Sequence, residues 1–238
     1  MGQKKLERFA EIKTFSNVFE YPIHMQGKWS GYFENQQPLT LELACGKGEY
    51  AVGLGKLHPE KNFIGIDIKG NRIWVGAKQS LEMHLKNVAF IRSQIDKVSQ
   101  YFVPGEVSEI WITFPDPQLR TSKAKKRLTH PAFLRNYQQF LAKGGKIHLK
   151  TDSPDLYEFT KLVIAFHDLE VLADNDNVYA QQIVSGELAI KTYYESLDIS
   201  GSKKVYYLQF KLPSTPLPDK DNELKEIILE KETDRRRV

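Results

Sequence analysis

From about residue 39 the chain alternates short apolar runs, rich in branched and aromatic residues, with longer stretches of helical periodicity. That order demands a largely parallel sheet with helices packed on its faces. The runs predict strands over Leu39 to Ala44, Asn62 to Ile68, Val88 to Arg92, Ser108 to Phe114 and Lys146 to Thr151, with helices near Glu49 to Leu57, Asn71 to Leu85, Pro131 to Ala142 and Pro154 to Phe166. Thr129 and Ser153 suit the N-caps of the last two helices, and Gly144-Gly145 suits the end of the third. A weaker strand is expected at Leu169 to Leu172, and a strong one lies within Lys203 to Leu212.

Two ends fall outside the alternation. Residues 1–36 space Leu6, Phe9, Ile12, Phe15, Val18 and Phe19 like a short amphipathic helix running into a loop, an N-terminal arm. Residues 213–238 open with three prolines and end in Arg235-Arg236-Arg237, which predicts a linker and a weak, solvated helix. The expected division is therefore an arm, one catalytic domain over 37–212, and a charged tail.

With 41% hydrophobic and 27% charged residues among 238, the chain is expected to fold. No apolar run approaches the roughly 18 residues of a membrane helix, and charge sits where a signal peptide would be apolar, so a cytoplasmic protein with no membrane partner is expected. Cys45 is the one cysteine, which excludes an internal disulfide, and the six histidines show no metal-ligand spacing, so no metal is expected. A net charge of +4 gives no general affinity for nucleic acid, so such a partner requires a local basic cluster.

The first strand runs into Cys45-Gly-Lys-Gly-Glu-Tyr-Ala, a G-x-G-x-x-A turn at Gly46 and Gly48, and Asp67 ends the second strand, where an acid can accept both hydrogen bonds of a ribose diol. Dinucleotide enzymes and S-adenosylmethionine enzymes share this pattern. Glu42 favours the second, because a carboxylate there would repel a pyrophosphate and attract a sulfonium, although Lys47 argues the other way. Alternatively, Glu42 and Asp67 are strand-end carboxylates satisfied by helix N-termini.

The fourth strand ends Phe114-Pro-Asp-Pro, putting Asp116 between prolines at the ligand-binding edge of the sheet, as a reactive carboxylate or as turn chemistry. Arg120, Lys123, Lys125, Lys126 and Arg127 follow with no acid among them, a run that suits phosphates. Lys150-Thr-Asp places Asp152 at the same edge, as a substrate contact or an extra N-cap. Thr192-Tyr-Tyr-Glu offers aromatics that can stack a base or pack as core.

These blocks, in this order over nearly all of residues 1–212, resemble the bacterial tRNA (guanine-N7)-methyltransferase family. The resemblance implies a Rossmann-like class I methyltransferase fold, a mostly parallel seven-stranded sheet with its last strand antiparallel, with S-adenosylmethionine as donor and a guanosine of the tRNA variable loop as acceptor. It implies cofactor contacts from Glu42, Asp67, Gln94 and Asp116, with Asp116 also catalytic, and tRNA contacts from Arg120, Asp152, Thr192, Tyr193, Tyr194 and Glu195. The chain departs from the family pattern at Ala44, often glycine, at Gln118-Leu119, usually Trp-Pro, and at Gln94, commonly a shorter Asn or Asp. An NAD-dependent oxidoreductase and a non-catalytic tRNA-binding module remain as alternatives.

Overall fold

Strands buried on both faces read as continuous apolar runs, and Leu39–Leu43 and Asn62–Asp67 are buried at every residue, so helices must cover both sides of the sheet. The computed structural model describes residues 2–180, 184, 186–197, 201 and 203–237. Its sheet has eight strands: β1 Val18–Glu20, β2 Leu39–Leu43, β3 Asn62–Asp67, β4 Val88–Arg92, β5 Val107–Thr113, β6 Leu141–Thr151, β7 Val171–Asn175 and β8 Tyr206–Lys211. They lie in the order β1-β4-β3-β2-β5-β6-β8-β7. Neighbours from β1 to β6 pair parallel, while β8 runs antiparallel to β6 and β7.

The helices are α1 Gly2–Glu11, α2 Trp29–Tyr32, α3 Glu49–Leu57, α4 Gly70–Glu82, α5 Pro131–Gln138, α6 Pro154–Phe166 and α7 Asp221–Arg237. Alternation along the strands divides the core. Leu41, Leu43, Ile64 and Ile112 join Leu134 of α5 and Leu156 and Val163 of α6. Phe63, Phe90 and Trp111 join Tyr50 and Leu54 of α3 and Ile73 of α4 on the other face.

Eight strands rather than seven are present because residues 18–20 of the expected arm enter the sheet as β1 along β4. The Asn17 amide fixes that entry by donating to the Ala77 carbonyl (3.1 Å) and the Ser80 hydroxyl (2.8 Å) of α4. Phe19 meets Trp29 and Tyr32 edge-on at 5.2 and 4.9 Å.

Gly144-Gly145 does not end a helix. Helix α5 stops at Gln138, β6 already begins at Leu141, and the glycine pair forms a bulge where the register jumps from Val107↔Leu141 to Glu109↔Lys146. Gly144 at φ +74° gives the bulged strand a backbone that other residues resist. Ser153 caps α6 as expected, accepting from the Leu156 amide at 3.2 Å. His130, not Thr129, caps α5: its Nδ1 accepts from the Ala132 amide, and the Thr129 hydroxyl pairs with that of Thr160. β7 spans 171–175 rather than 169–172. In the tail, Leu217 and Leu224 are buried and Asp221 pairs with Arg135 at 2.9 Å, so the start of α7 is held to α5.

Candidate active site

The carboxyl ends of β2, β3, β5 and β6 converge on a cleft of about 720 Å³ lined by Ala44, Asp67, Lys69, Arg72, Phe114 to Pro117, Asp152 and Tyr194 among others. This is where an open α/β sheet binds ligands. Each wall comes from one of the sequence blocks.

The first wall is the turn from β2 to α3, of which Ala44 lines the cleft while Gly46 and Gly48 lie behind it. Ala44, Gly46 and Gly48 all take left-handed backbone, with φ of +55°, +57° and +74°. Ala44 therefore holds the conformation that glycine would give, at a local cost of about 1 kcal/mol. A Cβ on Gly48 would lie 2.4 Å from the Phe90 ring, and one on Gly76 of α4 would lie 2.5 Å from the Lys47 carbonyl. The turn and α4 thus touch through two glycines.

Asp67 is buried and accepts from the Gly46 amide at 3.0 Å and the Lys69 amide at 2.8 Å. Each carboxylate oxygen keeps a second lone pair, and the side chain lines the cleft. Glu42 lies elsewhere: fully inside, beneath the turn, with one oxygen accepting from the Ala51 amide (2.8 Å) and the other from the Thr113 hydroxyl (2.9 Å). It caps α3 and is not part of the cleft lining.

Burial pushes the Glu42 carboxyl from its ordinary 4.5 up to about 8, outweighing those two hydrogen bonds. Between these values the unfolded chain is ionised at this position while the fold keeps the proton. Stability therefore falls as pH rises, by up to about 1.4 kcal/mol per pH unit, and levels off once the folded group ionises too. Glu42→Gln has no such proton and can keep both hydrogen bonds if the Thr113 hydroxyl turns. Denaturant titrations at several pH values should show the variant gaining on the parent between about pH 6 and 8; parallel curves would refute the assignment.

The second wall is Phe114-Pro-Asp-Pro. Phe114 and Gln118 sit at φ +46° and +48°, bracketing a tight reversal in which the exposed Asp116 accepts from the Gln118 amide at 3.0 Å. Arg127 holds this reversal from below. It is 6% exposed, donates to the carbonyls of Pro117 and Gln118 at 3.1–3.3 Å, and stacks its guanidinium 4.4 Å from the Phe159 ring. Arg127 therefore leaves the set of phosphate-facing cations. Arg120, Lys123, Lys125 and Lys126 stay exposed around the buried Ala124.

The third wall comes from Asp152, just past β6, and from the Thr192-Tyr-Tyr-Glu segment. Ser153 takes the capping role, and Asp152 lines the cleft. Of the segment, Tyr194 lines the cleft, and the Arg72 guanidinium lies 5.3 Å from its ring. Tyr193 is half exposed beneath Lys47, whose Nζ is 3.4 Å from the ring centre. Thr192 and Glu195 turn inward and hydrogen-bond to each other, with Glu195 bound to Lys150.

Gln94 is exposed at the start of the turn Ile95–Tyr101, and Arg120 is exposed beyond Leu119; neither lines the cleft. Sequence reasoning missed Lys69, Arg72 and Asp155, which do. The signal for the first two was present, since they begin the helix that follows Asp67. Among the described residues there is no cluster able to hold a metal ion and no helix long and apolar enough to cross a membrane.

Residues 36–208 match the protein family described as "Putative methyltransferase". The tRNA (guanine-N(7)-)-methyltransferase of Bacteroides thetaiotaomicron is 45% identical over 236 residues, covering 94% of this chain and 93% of the relative. The corresponding protein of Porphyromonas gingivalis is 47% identical over 213 residues, covering 84% and 86%. Among solved structures, the 16S rRNA (adenine(1408)-N(1))-methyltransferase of Catenulisporales acidiphilia superposes with a TM-score of 0.58 at 15% identity, over 81% of this chain and 93% of that one. The 16S rRNA methyltransferase KamB gives 0.59 at 11%, over 79% and 93%. At such low identity these two establish the α/β fold alone.

Proposed function

The chain belongs to the tRNA (guanine-N7)-methyltransferase family, and on that premise we propose that its cleft methylates a guanosine in the variable loop of tRNA, in the cytoplasm, with the charge of Asp116 serving the transfer. The observation that carries this reading is the meeting of Asp67, Asp116, Asp152 and Tyr194 in one cavity at the sheet edge.

The residues fit S-adenosylmethionine. Asp67 keeps acceptor capacity toward the cleft for a ribose diol, and the Phe90 ring of β4 leaves no room for a side chain at Gly48. When bound, the cofactor would supply an electrophilic sulfonium methyl group, whose carbon–sulfur bond would break as guanine N7 took the carbon through its free lone pair, the neutral thioether being the leaving group. The chain's own task is to hold the two partners. Asp67, held in place by the Gly46 amide, would hold the nucleoside end, while Tyr194 presents a ring against which a base can stack. Asp116 and Asp152 offer acceptors to the ring and amino N–H groups of guanine, which orient N7 and offset the positive charge that the purine gains. Arg120, Lys123, Lys125 and Lys126 attract the phosphates beside the target. Glu42 supports the turn from below, and Gln94 stays at the rim.

The test is incubation of unmodified tRNA with labelled S-adenosylmethionine, followed by nucleoside analysis. Labelled 7-methylguanosine is expected, at one position in the variable loop. A second measurement separates this from a redox enzyme. Cofactor at a hundredfold excess over its dissociation constant should stabilise the protein by about 2.7 kcal/mol, and Asp67→Ala should lose most of that. Stabilisation by NAD in place of S-adenosylmethionine would overturn the reading, and tRNA binding without methyl transfer would reduce the protein to a binding module.

A further inference from the structure

We propose that Lys150 is a positioning residue for methyl transfer: its buried ammonium gathers the segment 188–195 so that Tyr194 stands as a fixed wall of the cleft. The proposal rests on the reading of that cleft as the site of guanine methylation.

Lys150 lies at the end of β6 and is fully buried. An ammonium carries three N–H donors. All three find acceptors on one stretch of chain: the Leu188 carbonyl at 2.9 Å, the Ile190 carbonyl at 2.9 Å, and Glu195 Oε2 at 3.1 Å. The other Glu195 oxygen accepts from the Tyr179 hydroxyl. Rings of Tyr50, Phe114 and Tyr179 surround the cation with centres 5.4–5.8 Å away.

This stretch has no ladder of its own. Its regular structure is two short 3-10 turns, Gly186–Ala189 and Glu195–Leu197, so its backbone is fixed by what it binds. Between Ile190 and Glu195, the Tyr193 amide donates to Glu49 at 3.3 Å, and Lys47 and Arg72 lie against the two tyrosine rings. Lys150 is the inner anchor and α3 the outer one. The Lys150 carbonyl also accepts from the Phe114 amide at 2.8 Å, where the turn bearing Asp116 begins. One residue thereby ties together the strand end leading to Asp152, the reversal carrying Asp116, and the wall carrying Tyr194.

Removing the ammonium should loosen that wall and leave the rest standing. Lys150→Met keeps an unbranched side chain of similar length. Single-turnover methyl transfer at saturating tRNA and cofactor should fall by about a hundredfold, the scale of a small misplacement at a reacting centre. Dissociation constants for tRNA, set largely by phosphates, and for S-adenosylmethionine should stay near the parent values. Hydrogen exchange should quicken at the Thr192 and Glu195 amides while β2 to β5 stay protected. Lys150→Met alone strands a buried carboxylate, so Lys150→Met/Glu195→Met serves as the second variant: it should recover the melting temperature yet remain slow. A parental rate in either variant, or unchanged exchange at 192–195, would overturn the proposal. If the parent protein forms no 7-methylguanosine, the functional reading fails instead, and the two failures are distinguishable.

Discussion

Asp116→Asn is expected to bind tRNA and S-adenosylmethionine like the parent and to transfer methyl about a hundredfold more slowly or worse, the usual scale for one lost electrostatic contact in a preorganised site. The substitution is clean because Asp116 accepts from the Gln118 amide at 3.0 Å, and an asparagine oxygen accepts that bond equally well. The turn survives, and only the charge is gone. Guanine N7 has no proton to lose, so the role proposed for this carboxylate is to orient the base and offset charge rather than to take a proton. The single-turnover rate with both substrates saturating should therefore be nearly flat between about pH 6.5 and 8.5. A rate that climbs tenfold per pH unit would require a deprotonation and sink this mechanism. A parental rate in Asp116→Asn would reduce the residue to a turn former.

Gly48→Ala should destabilise the protein more than any other single methyl group added along the glycine turn. The new Cβ would sit 2.4 Å from Cε1 of Phe90, a ring with no exposed surface and so no room to retreat, at a backbone φ of +74° that alanine resists. Overpacking and left-handed strain together amount to roughly 3 kcal/mol, a fall of roughly 10 °C in melting temperature for a chain of this size. Phe90→Leu removes the clashing ring edge, so the double variant should lose less than the sum of the single changes. Additive losses, or a parental melting temperature in Gly48→Ala, would show that the turn and Phe90 of β4 are not in the close contact described.

The sheet and its cofactor edge were legible because parallel strands buried on both faces announce themselves: Leu39 to Leu43 and Asn62 to Asp67 are apolar enough to be read without any partner. Asp67, Asp116 and Asp152 could be placed in one site for the same reason, since strand ends of such a sheet share an edge. Three kinds of information were absent from local pattern. β1 is three residues long and is fixed by the Asn17 side chain reaching α4, a contact 60 residues away in sequence. Gly144-Gly145 reads as a helix stop or as a bulge, and only the pairing with β5 decides. The roles of Glu42 and Arg127 turn on direction: both are ionisable side chains beside the site, and both point inward, one to cap α3 and the other to hold the carbonyls of Pro117 and Gln118. The inward turn of Glu195 likewise depends on Lys150, which local pattern treats as a neighbour of Asp152 and nothing more.

The place of β8 between β6 and β7 fixes an order of events during synthesis. Every strand of the half of the sheet that carries Gly46, Gly48 and Asp67 exists once residue 113 has been made, since β1 to β5 pair among themselves, although the face that α5 and α6 cover is still open. β7, at residues 171–175, has no strand to join until residues 206–211 arrive, because its partner is β8. For the roughly 60 residues between the end of β6 and the end of β8, about 3–12 s at about 5–20 residues per second, the nascent chain presents β6 as a raw edge. During that interval the strand ends that carry Asp67 and Asp116 are already made, while Tyr194, which lines the same cleft, either has yet to be made or precedes the strand that will close the sheet.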